Sequence, residues 1–220
     1  IQLFVCPSAC GRHGAIGAMK QGLKSRLHYL YVSQSDIVNG YDDLIPDAVE
    51  KVLNVTRPRP RVFFIFVSCL DDLIGTDHEA LLEILGERYP DIQFRICHMN
   101  PISLGSKTPP PVSIQNNLYS LLEKTETTDE GLNSIGNLEV FAPSCELYSF
   151  LKHHGAPPLR HISAYQSYDQ YQEMAKSRFN LVFGAAGQQA AGQMEKRLGI
   201  PWAFFPVTYD MEEIEAAYRN

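Results

Sequence analysis

The chain has 220 residues, of which 45% are hydrophobic and 20% charged, and its formal net charge is −6. These proportions are ordinary for a globular protein that buries a full core. The negative charge disfavours binding to nucleic acid or to an anionic membrane. The longest apolar run, VFFIFVSCL, is too short to span a bilayer. We therefore expect one large or two small domains, with neither nucleic acid nor a membrane as a partner.

The five cysteines show no spacing typical of a disulfide framework. Their odd number favours cytosolic thiols, metal ligands or core residues over disulfide bonds, and we expect a cytoplasmic protein. The first residue is isoleucine rather than methionine, so the chain is expected to be a piece of a longer protein.

Short apolar runs alternate with helical patterns in the first part of the chain. The run RVFFIFVS is almost entirely apolar, which is typical of a parallel strand covered on both faces. By the same reasoning the predicted strands are IQLFVC, HYLYVS, RVFFIFVS and IQFRIC, and the predicted helices are GAIGAMKQGLKSR, YDDLIPDAVEKVLNV and HEALLEILGERYP.

A change of composition then separates two regions. SKTPPPVS is rich in proline and EKTETTDEGLNSIGN is polar, with one predicted helix, IQNNLYSLLEK, between them. After Asn137 the alternation resumes with the predicted strands LEVFAP, RHISA, FNLVFG and PWAFFPV and the predicted helices CELYSFLKHHG, SYDQYQEMAKS and AGQQAAGQMEKRLG.

This alternation predicts an α/β fold with two Rossmann-like, doubly wound parallel-sheet domains. We expect the first domain over residues 1–125, a linker over 126–136 and the second domain over 137–220.

Three cysteines follow predicted strands of the first domain, where open parallel sheets bind ligands. Cys6 and Cys10 follow the first strand, and Cys69 follows RVFFIFVS. The C-x-x-x-C spacing alone is typical neither of zinc sites nor of iron–sulfur runs. The nearby glycines match neither a dinucleotide motif nor a P-loop. A metal site here would need a ligand distant in sequence, and Cys69 is the candidate.

Four stretches together carry a family resemblance: PSACGRHGA, SDIVNGYDDLIPDAVEKV, VSCLDDLIGTDHEAL and FNLVFGAAGQQAAGQMEKRLGIPW. They resemble nitrogenase component 1, the family of the molybdenum–iron protein subunits, their cofactor-assembly relatives and the dark-operative protochlorophyllide and chlorophyllide reductases. The resemblance covers nearly all of the chain. It implies the first two Rossmann-like domains of a family subunit, with the usual third domain missing from this chain.

The resemblance implies an iron–sulfur cluster at a subunit interface. Cys10 and Cys69 match two of the family's ligands, a third family ligand lies upstream of Ile1, and Cys6 is a candidate to replace it. The implied partners are a second component 1-like subunit or a second copy of the chain, and an ATP-dependent iron–sulfur reductase.

Gly184 is a departure from the family pattern. In molybdenum–iron α subunits a cysteine immediately after N-L-V-x ligates the catalytic cofactor, and this chain has Gly184 there. We therefore expect no nitrogenase-type cofactor anchored at this position and no reduction of dinitrogen. Gly184 is expected instead to line the site of a tetrapyrrole or another organic substrate, because a smooth cavity wall suits a bulky planar ligand.

Three functions fit these observations. The first is an oxidoreductase subunit that receives electrons from the reductase through the interface cluster and reduces a substrate. The alternative is a non-catalytic scaffold of the same family that holds a cluster or cofactor during assembly. The third is an unrelated pair of small-molecule-binding lobes with structural cysteines, and the matching of several motifs in order disfavours it.

Overall fold

A computed structural model of the chain describes residues 1–100, 108–205 and 207–219. The chain divides into two compact units, Ile1–Ser113 and Ile114–Asn220. Each unit contains a four-stranded parallel sheet with helices along its connections. The predicted α/β fold with two parallel sheets is confirmed.

In the first unit the strand order reverses at the middle of the sheet. The order is β2-β1-β3-β4, so the connections leaving β1 and β3 run in opposite directions across the sheet. A crevice forms at the carboxyl ends of two strands at such a point. The four strands are β1 (Gln2–Cys6), β2 (Leu27–Tyr31), β3 (Val62–Val67) and β4 (Gln93–His98).

The helices of the first unit bury one face of this sheet. Phe63, Ile65 and Val67 of β3 belong to one core cluster with Ile45 and Leu85 of the third and fifth helices. The helices are α1 (Arg12–Lys20), α2 (Gln34–Asn39), α3 (Leu44–Val55), α4 (Cys69–Ile74) and α5 (His78–Arg88).

Two of these helices, α2 and α4, were missed by the periodicity analysis because each has only six residues. Each begins at a serine N-cap, which is a local signal that the sequence does contain. The Ser33 side chain accepts a hydrogen bond from the Asp36 N–H, and the Ser68 side chain accepts one from the Leu70 N–H.

The second unit repeats the strand order of the first. Its sheet has the order β6-β5-β7-β8, with the reversal between β5 and β7. The strands are β5 (Leu132–Ile135), β6 (Leu159–His161), β7 (Phe179–Val182) and β8 (Trp202–Phe204). The helices are α6 (Pro110–Tyr119), α7 (Glu146–His153), α8 (Tyr168–Gln172), α9 (Gln188–Leu198) and α10 (Met211–Arg219). Helix α6 begins before the division between the units.

The prediction of a strand over LEVFAP is wrong. The first strand of the second sheet is β5, which lies inside the segment 126–136 predicted to be a linker. The segment reads as polar, but Asn133 and Ser134 of β5 are completely buried. Asn133 can occupy the core because its amide is hydrogen-bonded there.

The proline-rich stretch SKTPPPVS does not simply interrupt structure. Its first two residues lie outside the described residues, and α6 begins at Pro110. Proline is tolerated in the first turn of a helix because the N–H groups there have no intrahelical partner. Within the part of the chain that the structure describes, no helix is both long enough and apolar enough to cross a membrane.

Candidate functional site

The loop that carries Cys10 is a tight connection between β1 and α1. The Cys10 N–H donates to the Pro7 carbonyl at 2.9 Å, which closes a turn immediately after the strand. Gly11 follows with φ 72°, a left-handed conformation that favours glycine. The Tyr29 hydroxyl donates to the Gly11 carbonyl at 2.8 Å. These contacts fix the backbone on both sides of the exposed Cys10 side chain.

Cys69 lies in the corresponding connection, two residues after the end of β3. It is the first residue of α4 and is exposed, and the preceding Ser68 caps the helix. Because β1 and β3 are adjacent parallel strands at the reversal of strand order, Cys10 and Cys69 both follow the carboxyl edge where such folds bind ligands. The structure therefore brings these two predicted ligands to one edge of the first sheet.

Cys6 differs from both of them. It is 0% exposed, and burial, followed by the neighbouring Cys10, raises the pKa of its thiol to about 11. A fully buried side chain is out of reach of a group bound at the protein surface. The geometry thus disfavours Cys6 as a substitute for the family ligand upstream of Ile1 and leaves the pair of exposed thiols.

The ligand set formed by the two exposed cysteines is partial. Iron–sulfur clusters are typically held by four thiolates. In residues 1–100, 108–205 and 207–219, no three His, Cys, Asp or Glu side chains form a group that could hold a metal ion. Cys10 and Cys69 alone therefore supply two thiols, fewer than a cluster needs.

A group of acidic and histidine side chains lies at the same end of β3 and β4, and the sequence analysis missed it. Asp71 is buried on α4, with its Oδ1 3.4 Å from His78 Nε2. The rings of His78 and His98 meet edge to face at 4.9 Å, and His98 Nδ1 lies 3.6 Å from Asp72 Oδ1. Burial, with Asp71 nearby, raises the pKa of Tyr41 far above its usual value. The adjacent aspartates two and three positions after Cys69 were the available signal.

At the corresponding edge of the second sheet, Gly184 meets another glycine. A Cβ on Gly184 would collide with the Gly136 carbonyl oxygen and lie 2.9 Å from the Gly136 carbonyl carbon. A Cβ on Gly187 would stand 2.5 Å from the Gly136 Cα. The loops after β5 and β7 therefore cross in backbone contact. Glycine is needed at position 184 for this packing, a reason that differs from the smooth cavity wall predicted from the sequence.

His161 holds the loop after β5 in place. It is 3% exposed, its Nε2 lies 2.9 Å from the Asn137 carbonyl, and its Nδ1 accepts from the Ser163 N–H at 3.2 Å. An Nδ1 that accepts and an Nε2 that donates define the neutral imidazole. Burial lowers the pKa of His161 below 6.5, which agrees with this neutral form.

We expect the second unit to lose stability as the pH falls below 6.5. The unfolded chain takes up a proton on His161 in that range, whereas the folded chain resists it until the pH reaches its lower folded-state pKa. The slope from this residue is at most about 1.4 kcal/mol per pH unit. Urea unfolding at pH 7.5, 6.5 and 5.5 measures how the free energy of unfolding changes with pH. His161→Gln should flatten the slope, whereas His153→Gln, which changes an exposed histidine, should not. Equal slopes in all three proteins would contradict the assignment.

A family model described as nitrogenase component 1 type oxidoreductase matches residues 5–220. The chain belongs to this family. The predicted family resemblance is thus confirmed over nearly the whole sequence.

Among relatives of this component 1 chain, the nitrogenase iron-molybdenum cofactor biosynthesis protein NifE of Clostridium pasteurianum is 26% identical over 174 residues. That alignment covers 77% of this chain and 37% of NifE. The chain therefore spans well under half the length of the curated relative that it matches.

Two solved structures show the same component 1 fold. The structure titled "Nitrogenase Cp1 at pH 6.5" superposes with a TM-score of 0.70 at 16% identity, covering 99% of this chain and 53% of that one. "Nitrogenase Cp1 at pH 5" gives a TM-score of 0.73 at 17% identity, covering 93% and 43% of the two chains. At these identities the comparison establishes the fold.

Proposed function

We propose that this chain is a component 1-type subunit in which Cys10 and Cys69 bind an iron–sulfur cluster. The observation that carries the proposal is their placement: both are exposed and both follow adjacent strands at the reversal of the first sheet. Cys6 and Cys97, by contrast, are completely buried. Thiolates from two such loops can hold iron at a protein surface, where a second component 1-like subunit or a second copy of the chain supplies the remaining ligands.

In this proposal the cluster accepts electrons from an ATP-dependent iron–sulfur reductase and passes them to a substrate. We expect a substrate other than dinitrogen, because Gly184, which packs against the Gly136 backbone, stands where molybdenum–iron α subunits carry the cysteine that ligates the cofactor. Half-buried aromatic rings near Gly184 favour an organic, planar substrate such as a tetrapyrrole. Phe183 meets Phe141 edge to face at 5.0 Å and Phe205 at 6.0 Å.

A second candidate function is a scaffold for cofactor assembly, and the similarity to NifE favours it. In that role the same two cysteines hold a cluster in transit, and the subunit passes a metal group to another protein. Both candidate functions require the cluster. The oxidoreductase subunit would pass on electrons, whereas the scaffold would pass on the metal group itself.

The test uses the full-length protein, purified without oxygen together with its partner subunit. We expect iron and acid-labile sulfide in stoichiometric amounts, and an electron paramagnetic resonance signal that changes when an ATP-dependent iron–sulfur reductase and MgATP are added. Transfer of iron to a metal-free acceptor protein, without any such ATP-dependent change, would support the scaffold instead. The absence of iron and sulfide from this preparation would overturn both.

A further inference from the structure

Cys6 is the last residue of β1 and Cys10 lies in the loop between β1 and α1, and of these two cysteines only Cys10 is exposed. The loop rests against a neighbouring strand through Tyr29, whose hydroxyl donates to the Gly11 carbonyl at 2.8 Å. The fit is close, since a Cβ on Gly11 would stand 2.9 Å from Tyr29 Cε1. A small shift of the loop would therefore change its contact with the Tyr29 ring.

Gly11 also covers the buried thiol. The position of a Gly11 Cβ lies 3.4 Å from Cys6 Sγ, so the residue held by Tyr29 is packed directly against Cys6. The hydrogen bond thus fixes one backbone unit that has the exposed Cys10 as its chain neighbour and the buried Cys6 as its packing neighbour.

The Tyr29 ring is itself held by other rings. It stacks on Tyr31 with centroids 5.3 Å apart and an interplanar angle of 6°, and it lies 5.5 Å from the Phe4 ring. The Phe4 ring in turn stacks on Phe66 at 4.6 Å. Because these contacts involve the ring and not the hydroxyl, Tyr29→Phe removes the hydrogen bond and leaves the packing in place.

We propose that Tyr29 is a positioning residue that decides which of the two thiols, Cys6 at the end of β1 or Cys10 in the following loop, is presented. Its hydrogen bond keeps Gly11 over Cys6 and leaves Cys10 as the accessible cysteine. The functional importance of an accessible Cys10 rests on its proposed role as a cluster ligand. The choice itself is a property of the metal-free chain, and it can be measured there.

The test is thiol labelling of metal-free protein with iodoacetamide, followed by mass spectrometry of each cysteine. In the parent protein we expect rapid labelling of Cys10 and Cys69 and protection of Cys6. Tyr29→Phe should raise the labelling rate of Cys6 by roughly fivefold, the effect of losing one ordinary hydrogen bond on a local opening equilibrium. Tyr31→Phe is the matched control, because it removes a hydroxyl from the adjoining ring.

Cys97 separates positioning from general loosening, since it is equally buried in β4 of the same sheet. Unchanged protection of Cys6 in Tyr29→Phe would overturn the proposal, and so would a parallel rise at Cys6 and Cys97. If Tyr29→Phe does not fold, Gly11→Ala provides a second variant, because φ 72° strains any other residue there. It should also expose Cys6. Failure of the cluster proposal would appear as missing iron in the parent protein and would leave these labelling rates unaffected.

Discussion

Gly184→Ala is expected to destabilise the second unit by about 3 kcal/mol or more. The added methyl group would overlap the carbonyl group of Gly136, and the backbone atoms it meets cannot rotate away as a side chain can. The converse also holds, since a Cβ on Gly136 would stand 2.5 Å from the Gly184 oxygen. Denaturant unfolding followed by circular dichroism measures the change.

Gly192→Ala is the matched control, on a helix of the same unit. Gly192 lies inside α9, and its nearest neighbour would be the Trp202 Nε1 at 3.9 Å, an ordinary contact. Alanine there should raise the free energy of unfolding by about 0.5–1 kcal/mol, because glycine is a poor helix former. Equal stabilities for the two alanine variants would contradict the close backbone contact between Gly136 and Gly184.

Asn133→Ala is expected to have an effect of similar size. Asn133 is 0% exposed and its amide nitrogen donates to the Met174 carbonyl at 2.9 Å and to Asn180 Oδ1 at 2.8 Å. Its Oδ1 accepts from Ser177 Oγ at 2.8 Å. Removing the amide takes these hydrogen bonds away from two buried groups, Asn180 Oδ1 and the Ser177 hydroxyl, at about 1–3 kcal/mol for each group.

The expected loss for Asn133→Ala is therefore about 3 kcal/mol, measured in the same unfolding experiment. Gln189→Ala, which changes an exposed amide on α9, should stay within about 0.5 kcal/mol of the parent. A loss below about 1 kcal/mol for Asn133→Ala would mean that solvent or a rearranged neighbour satisfies the freed groups.

The same hydrogen bonds explain why part of the fold escaped prediction. Apolar strands such as β3 follow from composition because their burial needs no polar partner. The burial of β5 depends on hydrogen bonds from Asn133 to Asn180 and Met174, more than 40 residues away in the sequence. The periodicity of a local segment does not reveal such distant partners. A strand whose polar side chains are hydrogen-bonded in the core therefore looks like a linker in the sequence.

The candidate site shows a similar division. The placement of Cys10 and Cys69 at one edge of the first sheet was predictable, because each follows a strand that the sequence predicts. The burial of Cys6 was not, since it depends on how the loop through Gly11 folds back over the strand. The reason for glycine at position 184 was equally hidden, because the neighbouring Gly136 lies 48 positions earlier in the sequence.

The proposed binding of an iron–sulfur cluster by Cys10 and Cys69 is tested most directly by the metal content of single alanine variants. Iron and acid-labile sulfide are measured on full-length protein purified without oxygen with its partner. We expect Cys10→Ala and Cys69→Ala each to lose most of the iron and sulfide, whereas Cys145→Ala, a half-buried cysteine of the second unit, retains the parent content. Parent-like iron and sulfide in both Cys10→Ala and Cys69→Ala would contradict the account.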